Sequence, residues 1–577
     1  MHALPEKERG FYMYEYKGRL INSRVNAFYF PGLLATLSIT ASMFLDIAVV
    51  GQMLGPVAMG VVNLALPLTM VFSMVYMLLG TGGEVLASAA KGAGNKLEAN
   101  KLFTLTIVTI ISVSIVLMFV GLMEGNRLAA ILSRGDGDME PLLARYIRMM
   151  FIAAPLLIGV TSMTFFVKVD ALPKLAAGIM VFTNVVNVIS KIIYMGPLGL
   201  GIEGAAYGTI TGYVAGFLLL IPYLFFSKKR TLLFVPLSAK DFLHLGNIFI
   251  TGLPSSVGQG LGAVTTFMVN AIFMDVAGKN GIVLHTVCSS MTIFISSFRY
   301  AAASAMVPIV GALFGERDWW SMHQVAIRTT KIVMGCVAAS IILFEFFPAK
   351  VLTFFGVHDM EVMAMGVPAL RIYAISLLLG ALTHILMTYM QTTGRKVFSI
   401  AISVGSEVLS VIFAYWFGYW LGAIGLWSHN IAAYMVLLIL IVFVAKYIGK
   451  KSNGKYHGVF IHEMRPTFVR GNSIYATQEE AAGYTEMIGE FLADNQVSPQ
   501  SIAEVKKLIY QTAMEIVETE KNPKKTIDIM ALVYGGRVKI RLRDDSKAPE
   551  TIKNEQDDRI KRLSVMGYNN TYIEVLV

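Results

Sequence analysis

PGLLATLSITASMFLDIAVVGQMLGPVAMG, residues 31–60, is apolar over most of its length and carries a single acid, Asp46. About 20 such residues in a helix cross the hydrocarbon core of a bilayer. Runs of that length recur through the chain, centred near 27–52, 60–85, 101–123, 145–167, 172–195 and 203–226. A second six follow near 245–275, 282–308, 325–347, 368–391, 397–420 and 423–446. Of the 577 residues 55% are hydrophobic and only 15% charged, where soluble chains carry about a quarter charged. The reading is a polytopic α-helical membrane protein with twelve transmembrane helices. Residues 1–24 are polar and lack the apolar core of a cleavable signal. Cys288 and Cys336, the only cysteines, both fall in membrane runs and argue for neither a disulfide nor a metal site.

The net charge of +10 marks orientation, and no nucleic-acid partner is expected. Basic residues cluster at one set of ends: Lys7, Arg9, Lys17, Arg19 and Arg24 first, then Lys91, Lys96 and Lys101. Lys228, Lys229, Arg230 and Lys240 follow the sixth run, Arg395 and Lys396 the tenth, and Lys450, Lys451 and Lys455 the twelfth. The opposite connections, such as GQMLGP (51–56) and GYWLGAIG (418–425), are nearly free of them. By the positive-inside rule both termini are expected in the cytoplasm.

The membrane region repeats weakly. FFVKVDALPK (165–174) answers to TYMQTTGRK (388–396), GIEGAA (201–206) to GAIGLW (422–427), and KGAGN (91–95) to FGERD (314–318). The offsets, about 220 residues each, imply two parallel six-helix halves that enclose a site near mid-membrane. The expected divisions are a cytoplasmic segment 1–24, an N-terminal lobe 25–230, a C-terminal lobe 231–447, a linker 448–460 and a cytoplasmic α+β domain 461–577. In that tail, 477–496 and 498–520 read as amphipathic helices, the second with Ser498 as N-cap and Pro499 at its first position. KTIDIMALVY and GRVKIRLRDD alternate as strands joined at Gly535–Gly536, and NTYIEVLV closes as a further strand.

The opening stretch, with KGAGNKLEANK, FTNVVNVISKII, GIEGAAYGT and GLPSSVGQG (252–260), resembles the MATE family of multidrug and toxic compound extrusion transporters over about residues 25–447. The resemblance implies a bacterial-type inner-membrane, multi-pass exporter and no enzyme. It would exchange an organic or drug-like small molecule for protons or sodium by rocking of two lobes. Asp46 matches the family's first-helix acid, and Asn187 and Thr209 match polar positions lining the first lobe, with Asn184 one turn before. The family's fifth helix has Asn followed four residues later by Asp; here that position is Lys191. The seventh and tenth helices lack the acids some members have, leaving Gln259 and His384 as the nearest polar groups. The tail resembles the ATPase fold of histidine kinases and anti-sigma-factor kinases, with Glu515 at the acid of its Glu…Asn box. Thr519 stands at the metal-binding Asn, and Asp545 survives in a loop whose glycine is replaced by Lys547. ATP binding by the tail is not expected, and no cofactor beyond the coupling ion is implied.

Asp46 in an apolar helix costs about 2.5–3.5 kcal/mol unless paired. Lys191 has four readings: a buried ion pair with Asp46, a proton carrier of depressed pKa, a holder of an anionic substrate, or a lysine snorkelling to the outer interface. Glu84 reads as a gate or a satisfied helix end, and Glu407 as a carboxylate of the second lobe with Arg299 as partner. His285 and His384 titrate near neutral pH when free, while a lone helix histidine is more often a packing residue. Two other functions stay open: a non-transporting ligand sensor signalling through the tail, and a flippase for a lipid-linked anion. A cytoplasmic protein partner for the tail is left open as well.

Overall fold

The computed structural model describes residues 18–576 apart from 134–136, 356, 453–455, 464–467, 520, 521, 523, 535, 536, 547–558 and 566. Lys7, Arg9, Lys17, Lys455, the turn at Gly535–Gly536 and Lys547 lie outside the described residues. Two compact units emerge: one of 27–316 and 326–443, the other of the N-terminal residues to Asn26, 317–325 and 444–577.

The membrane unit is built from helices α1 (Arg19–Leu54, which starts in the other unit), α2 (Pro56–Gly92), α3 (Lys96–Ser133), α4 (Glu140–Val169), α5 (Pro173–Met195) and α6 (Gly201–Phe226). His244–Glu316 breaks at Gly278, φ 64°, into α7 (244–277) and α8 (279–316). Then come α9 (Trp319–Phe346) and α10 (Met360–Thr392). Lys396–Lys451 breaks at Gly422, φ 65°, into α11 (396–421) and α12 (423–451). Among the described residues, ten helical stretches are long and apolar enough to cross a membrane, and the two glycine breaks divide them into twelve candidate spans. A proline stands in the first turn of α2, α4 and α5, where its missing N–H has no intrahelical partner to lose. In α2, Tyr76–Thr81 winds as a π-helix, a local widening that often marks functional sites.

The repeat is written into the backbone. Left-handed residues occur in matching pairs, Gly55 with Gly278, Gly94 with Arg317, Ala171 with Gly394 and Gly201 with Gly422, each pair about 220 residues apart as parallel repeats require. These positions turn the chain between corresponding helices of the two halves.

The halves meet through bare backbone. A Cβ on Gly252 of α7 would stand 1.7 Å from the Leu78 carbonyl oxygen of α2, and one on Gly82 2.1 Å from that of Ile248. Gly92 and Gly315 repeat the arrangement between α2 and α8, at 1.9 Å from Ala312 O and 2.0 Å from Ala89 O. Small residues at such crossings let membrane helices approach closely, since burial of apolar surface gives little drive in lipid. Helix α1 joins α8 through Thr36 Oγ1, which donates to Ser297 O at 3.0 Å, and Thr40, 2.9 Å from Ser297 Oγ. These crossings lie toward the ends of α2 and α8 that carry the basic connections, called the basic end below.

The second unit contains a two-stranded ribbon, β1 (Tyr456–His457) with β2 (His462–Glu463), and a five-stranded antiparallel sheet. The sheet runs β3 (Phe468–Tyr475), β4 (Thr526–Tyr534), β5 (Arg537–Asp544), β7 (Tyr568–Leu576), β6 (Ile560–Val565). Helices α13 (Gln478–Asp494) and α14 (Pro499–Thr519) cover one face. Ser498 Oγ accepts the Ser501 N–H at 3.2 Å, an N-cap. Ile529, Ile540 and Ile573 of the sheet close a core with Ile488 and Ile509 of the helices. Burial raises the Asp528 carboxyl on the opposite face above the usual carboxylate range, against the hydroxyl of Ser473 and the charge of Arg543.

Candidate functional site

Helix α5 presents Thr183, Asn187 and Lys191 at intervals of four, one face of a helix. Helix α6 receives that face on Gly216, Gly212 and Gly208. A Cβ on Gly208 would lie 2.3 Å from Lys191 Cγ, one on Gly212 2.7 Å from Asn187 Cβ, and one on Gly216 2.1 Å from Thr183 Oγ1. The glycine ladder lets α5 lie close on α6, and the Lys191 side chain runs on toward α1. There Nζ stands 2.7 Å from Asp46 Oδ1, with the lysine side chain 4% exposed and the aspartate 24%. Asp46 lies roughly 12 Å along the helix from the Leu54 end, in the half of α1 away from the basic end. Tyr146 of α4 and Tyr213 of α6 lie close enough to feel the Asp46 charge.

Around the pair, Asn184 Nδ2 donates to Ser38 Oγ at 3.0 Å, tying α5 to α1. Thr209 Oγ1 donates to Ala205 O of its own helix at 3.4 Å. The side-chain oxygen of Asn187 is buried without a hydrogen-bond partner, and so is Asp46 Oδ1, which meets the ammonium as an ion pair only. The lysine is thus held inside the lobe and does not reach for the outer interface. Chemically the site is an anionic group, open on one side, whose counter-charge is built in.

Two further lysine–carboxylate pairs lie in the same half. Lys168 of α4 reaches Glu84 of α2 at 3.1 Å, both side chains less than 10% exposed, with the ammonium 4.6 Å from the Phe165 ring centroid. At the basic end Lys91 pairs with Asp170 at 2.9 Å. Asp170 also accepts from Tyr223 OH at 2.8 Å and from the N–H groups of Thr231 and Leu232 at 3.0 and 3.3 Å. Burial alone would raise the Asp170 carboxyl. The Lys91 ammonium and the Thr231 donors outweigh it and hold the group below the usual range. A carboxyl lowered by folding stabilises the fold above its unfolded value, about 3.9, and that contribution is lost as pH falls through the folded value. Asp170→Asn should therefore cost about 3–5 kcal/mol at pH 7, the loss expected when one partner of a buried pair is removed. The difference from wild type should shrink below about pH 4, measured by thermal denaturation in detergent; an equal gap at both pH values would refute it.

The pairs with Glu84 and Asp170 were not legible as pairs, because each joins residues about 80 apart; the only signal was a lysine inside the apolar run FFVKV. In the register of the paired left-handed residues, Asp46, Glu84 and Lys191 correspond to Val269, Val307 and Ala414, and Lys168 to Gln391. Gln391 is neutral and satisfied, donating to Thr251 O at 2.8 Å and accepting from Ser255 Oγ at 3.0 Å. Gln259 of α7 donates to Tyr300 OH at 3.1 Å, and His384 of α10 sets its ring edge-on to Tyr300 at 5.5 Å. Arg299 donates to Ser296 Oγ; Glu407 has Thr265 and Arg299 as polar neighbours, but among the described residues no ion pair joins it to Arg299. His285 is a packing residue, 2.7 Å from Asn270 Oδ1 and stacked on Phe273. In the tail, Glu515 pairs with Arg562, Asp545 with Lys525 at 2.8 Å, and the Thr519 hydroxyl donates to Glu515 O at 2.6 Å.

The MatE family model matches residues 31–193 and again 254–416, once in each half. The probable multidrug resistance protein YoeA of Bacillus subtilis is 23% identical, over 74% of this chain and 94% of its own length. The multidrug export protein MepA of Staphylococcus aureus is 22% identical, over 73% and 93%. Among solved structures, a MOP superfamily transporter from Pyrococcus furiosus superposes with TM-score 0.67 at 22% identity, covering 73% of this chain and 94% of that one. That protein is described as having a binding pocket of reversed polarity, suggesting a different function. A multidrug resistance MATE family transporter in an outward-facing conformation gives 0.68 at 21%, over 75% and 97%. At these identities the superpositions show the fold. Neither family match reaches the tail.

Proposed function

The chain belongs to the MatE family of transporters, and from that premise we propose that it is a secondary exporter of organic, drug-like solutes driven by protons or sodium. The observation that carries this reading is the Lys191–Asp46 pair, 2.7 Å apart and exposed only on the aspartate side. A coupling cation reaching Asp46 must displace the ammonium, so ion entry and pair opening are one event. In the low dielectric of the lobe such an exchange is strongly favourable only when each charge is re-paired, which suits a step coupled to substrate movement. Basic residues gather at one set of helix ends, and on the positive-inside rule those ends, with both termini, face the cytoplasm of a bacterial-type inner membrane. Glu515 and Asp545, the remnants of a nucleotide site, are each held by a cation of the same domain. That supports a tail that regulates the transporter without binding ATP.

A second reading rests on the sign of residue 191. A cation where family members have an acid suits a substrate bearing an anion; the Pyrococcus furiosus transporter is described as having a binding pocket of reversed polarity that suggests a different function for that protein. The experiment is efflux of a fluorescent organic cation from energised cells, wild type beside Lys191→Asp, with and without uncoupler. Wild-type efflux abolished by uncoupler, and at least tenfold weaker in Lys191→Asp, is expected. Export by Lys191→Asp alone would favour the anionic-substrate reading. No energised flux from either would move the sensor and flippase readings ahead.

A further inference from the structure

Strand β5 alternates Val538, Ile540 and Leu542 with Lys539, Arg541 and Arg543. The apolar set packs under the tail helices, and by period two the basic set belongs on an open, solvated face. Yet Arg541 and Arg543 are each 1% exposed. Both guanidinium groups close on one carboxylate, Asp318, with Arg543 Nη2 at 3.2 Å. Both also donate to Ser321 Oγ, at 3.0 and 3.3 Å, and Arg543 Nε donates to Asn570 Oδ1 at 2.6 Å.

The same polar face grips the start of α1. The Arg19 N–H donates to Ser473 Oγ at 2.7 Å, and the Leu20 N–H to Asp528 Oδ2 at 3.2 Å. Tyr568 OH donates to Leu20 O at 2.6 Å, and Arg24 lies over the Tyr568 ring at 4.5 Å. Gln324 closes the circuit by donating to Gly18 O at 2.9 Å. Asp528 satisfies an orphan donor at a helix N-terminus, and Asp318 compensates two charges that burial would otherwise make costly. This face is a built docking surface.

What it docks decides its meaning. Residues 19–26 are the first turns of α1 of the first half, and residues 317–325 join α8 to α9 of the second and include the first turns of α9. With 444–577 they form one compact unit. We propose that the tail sheet is a latch holding the start of α1 to the α8–α9 connection, so that the two halves part at the basic end only when Arg541 and Arg543 release Asp318. The three residues are positioning residues: they touch no solute and set how often the basic end opens. The inference goes beyond the exporter reading and does not depend on the identity of the solute.

The test uses the full chain in liposomes, with Cys288→Ala, Cys336→Ala and a reporter Ser304→Cys. Ser304 sits between the halves, its Oγ 3.2 Å from where a Cβ on Gly32 would stand. Labelling of residue 304 by a maleimide, followed by mass spectrometry without solute or gradient, reads opening directly. Asp318→Asn, and separately Arg541→Gln with Arg543→Gln, should label at least tenfold faster than the parent. The exchange Asp318→Arg with Arg543→Asp should return the rate to within about threefold of the parent, which a merely unfolded tail would not do. Parent-like labelling in the single-sided variants would overturn the latch, and so would an exchange variant as fast as Asp318→Asn. Failure of the exporter reading would appear as absent flux with this labelling pattern intact.

Discussion

Asp46→Asn loses energised efflux to background while its level in the membrane stays that of the wild type. Asparagine keeps the size of the side chain and still turns an oxygen toward the Lys191 ammonium, so the α1–α5 contact is retained. What disappears is the negative charge that any coupling cation must find. Removing one member of a buried pair costs about 3–5 kcal/mol when the remaining charge is stranded. Asp46 borders open space, so the site is not sealed around the stranded ammonium and folding is expected to survive. The double variant Asp46→Asn with Lys191→Met separates the effects: it removes both charges, should restore thermal stability to near wild type, and should remain inactive. Wild-type flux in Asp46→Asn, at matched membrane level, would sink the coupling role.

The second large effect is on packing. Gly252→Ala and Gly335→Ala are the same substitution in the interior of a helix and gain the same propensity, about 1 kcal/mol. Around Gly335 nothing lies within 4 Å of the new methyl, whereas at Gly252 it meets the Leu78 carbonyl at 1.7 Å. Backbone cannot swing aside as a side chain can, so α2 and α7 must separate and give up the neighbouring contacts at Gly82 as well. Gly335→Ala should leave efflux unchanged and the melting temperature at or slightly above that of the wild type. Gly252→Ala should lower the melting temperature by several degrees, as overpacking of about 1–3 kcal/mol or more implies, and reduce efflux at least tenfold. Equal behaviour of the two variants, by size-exclusion thermal assay and by flux, would refute the close crossing.

Much of the architecture was legible because each span is selected by a large transfer term summed over about 20 residues. The glycine breaks at Gly278 and Gly422 fell in the connections expected between apolar runs, and the tail helices followed their caps. Asp46 was legible as one partner for Lys191, but four readings fit the same residues, and choosing among them needed the packing of α5 on the glycine ladder of α6, a property of two helices together. The pairs at Glu84 and Asp170 escaped for a like reason. Arg541 and Arg543 were visible as the polar phase of an alternating strand, but alternation says only that two faces differ. That the polar face is buried depends on residues more than 200 positions away.

The matched left-handed residues make this chain a two-member alignment of itself. Where one half has glycine, the other has Ala171 or Arg317 in the same left-handed conformation, which a side chain occupies at a cost of roughly 1 kcal/mol. Each half thereby suggests a substitution for the other, Ala171→Gly and Arg317→Gly, that removes this cost without moving the backbone. The same comparison makes the ionic pairs a property of one half alone: valine and alanine stand at the counterparts of Asp46, Glu84 and Lys191, so the second half offers a cation no equivalent carboxylate at these positions.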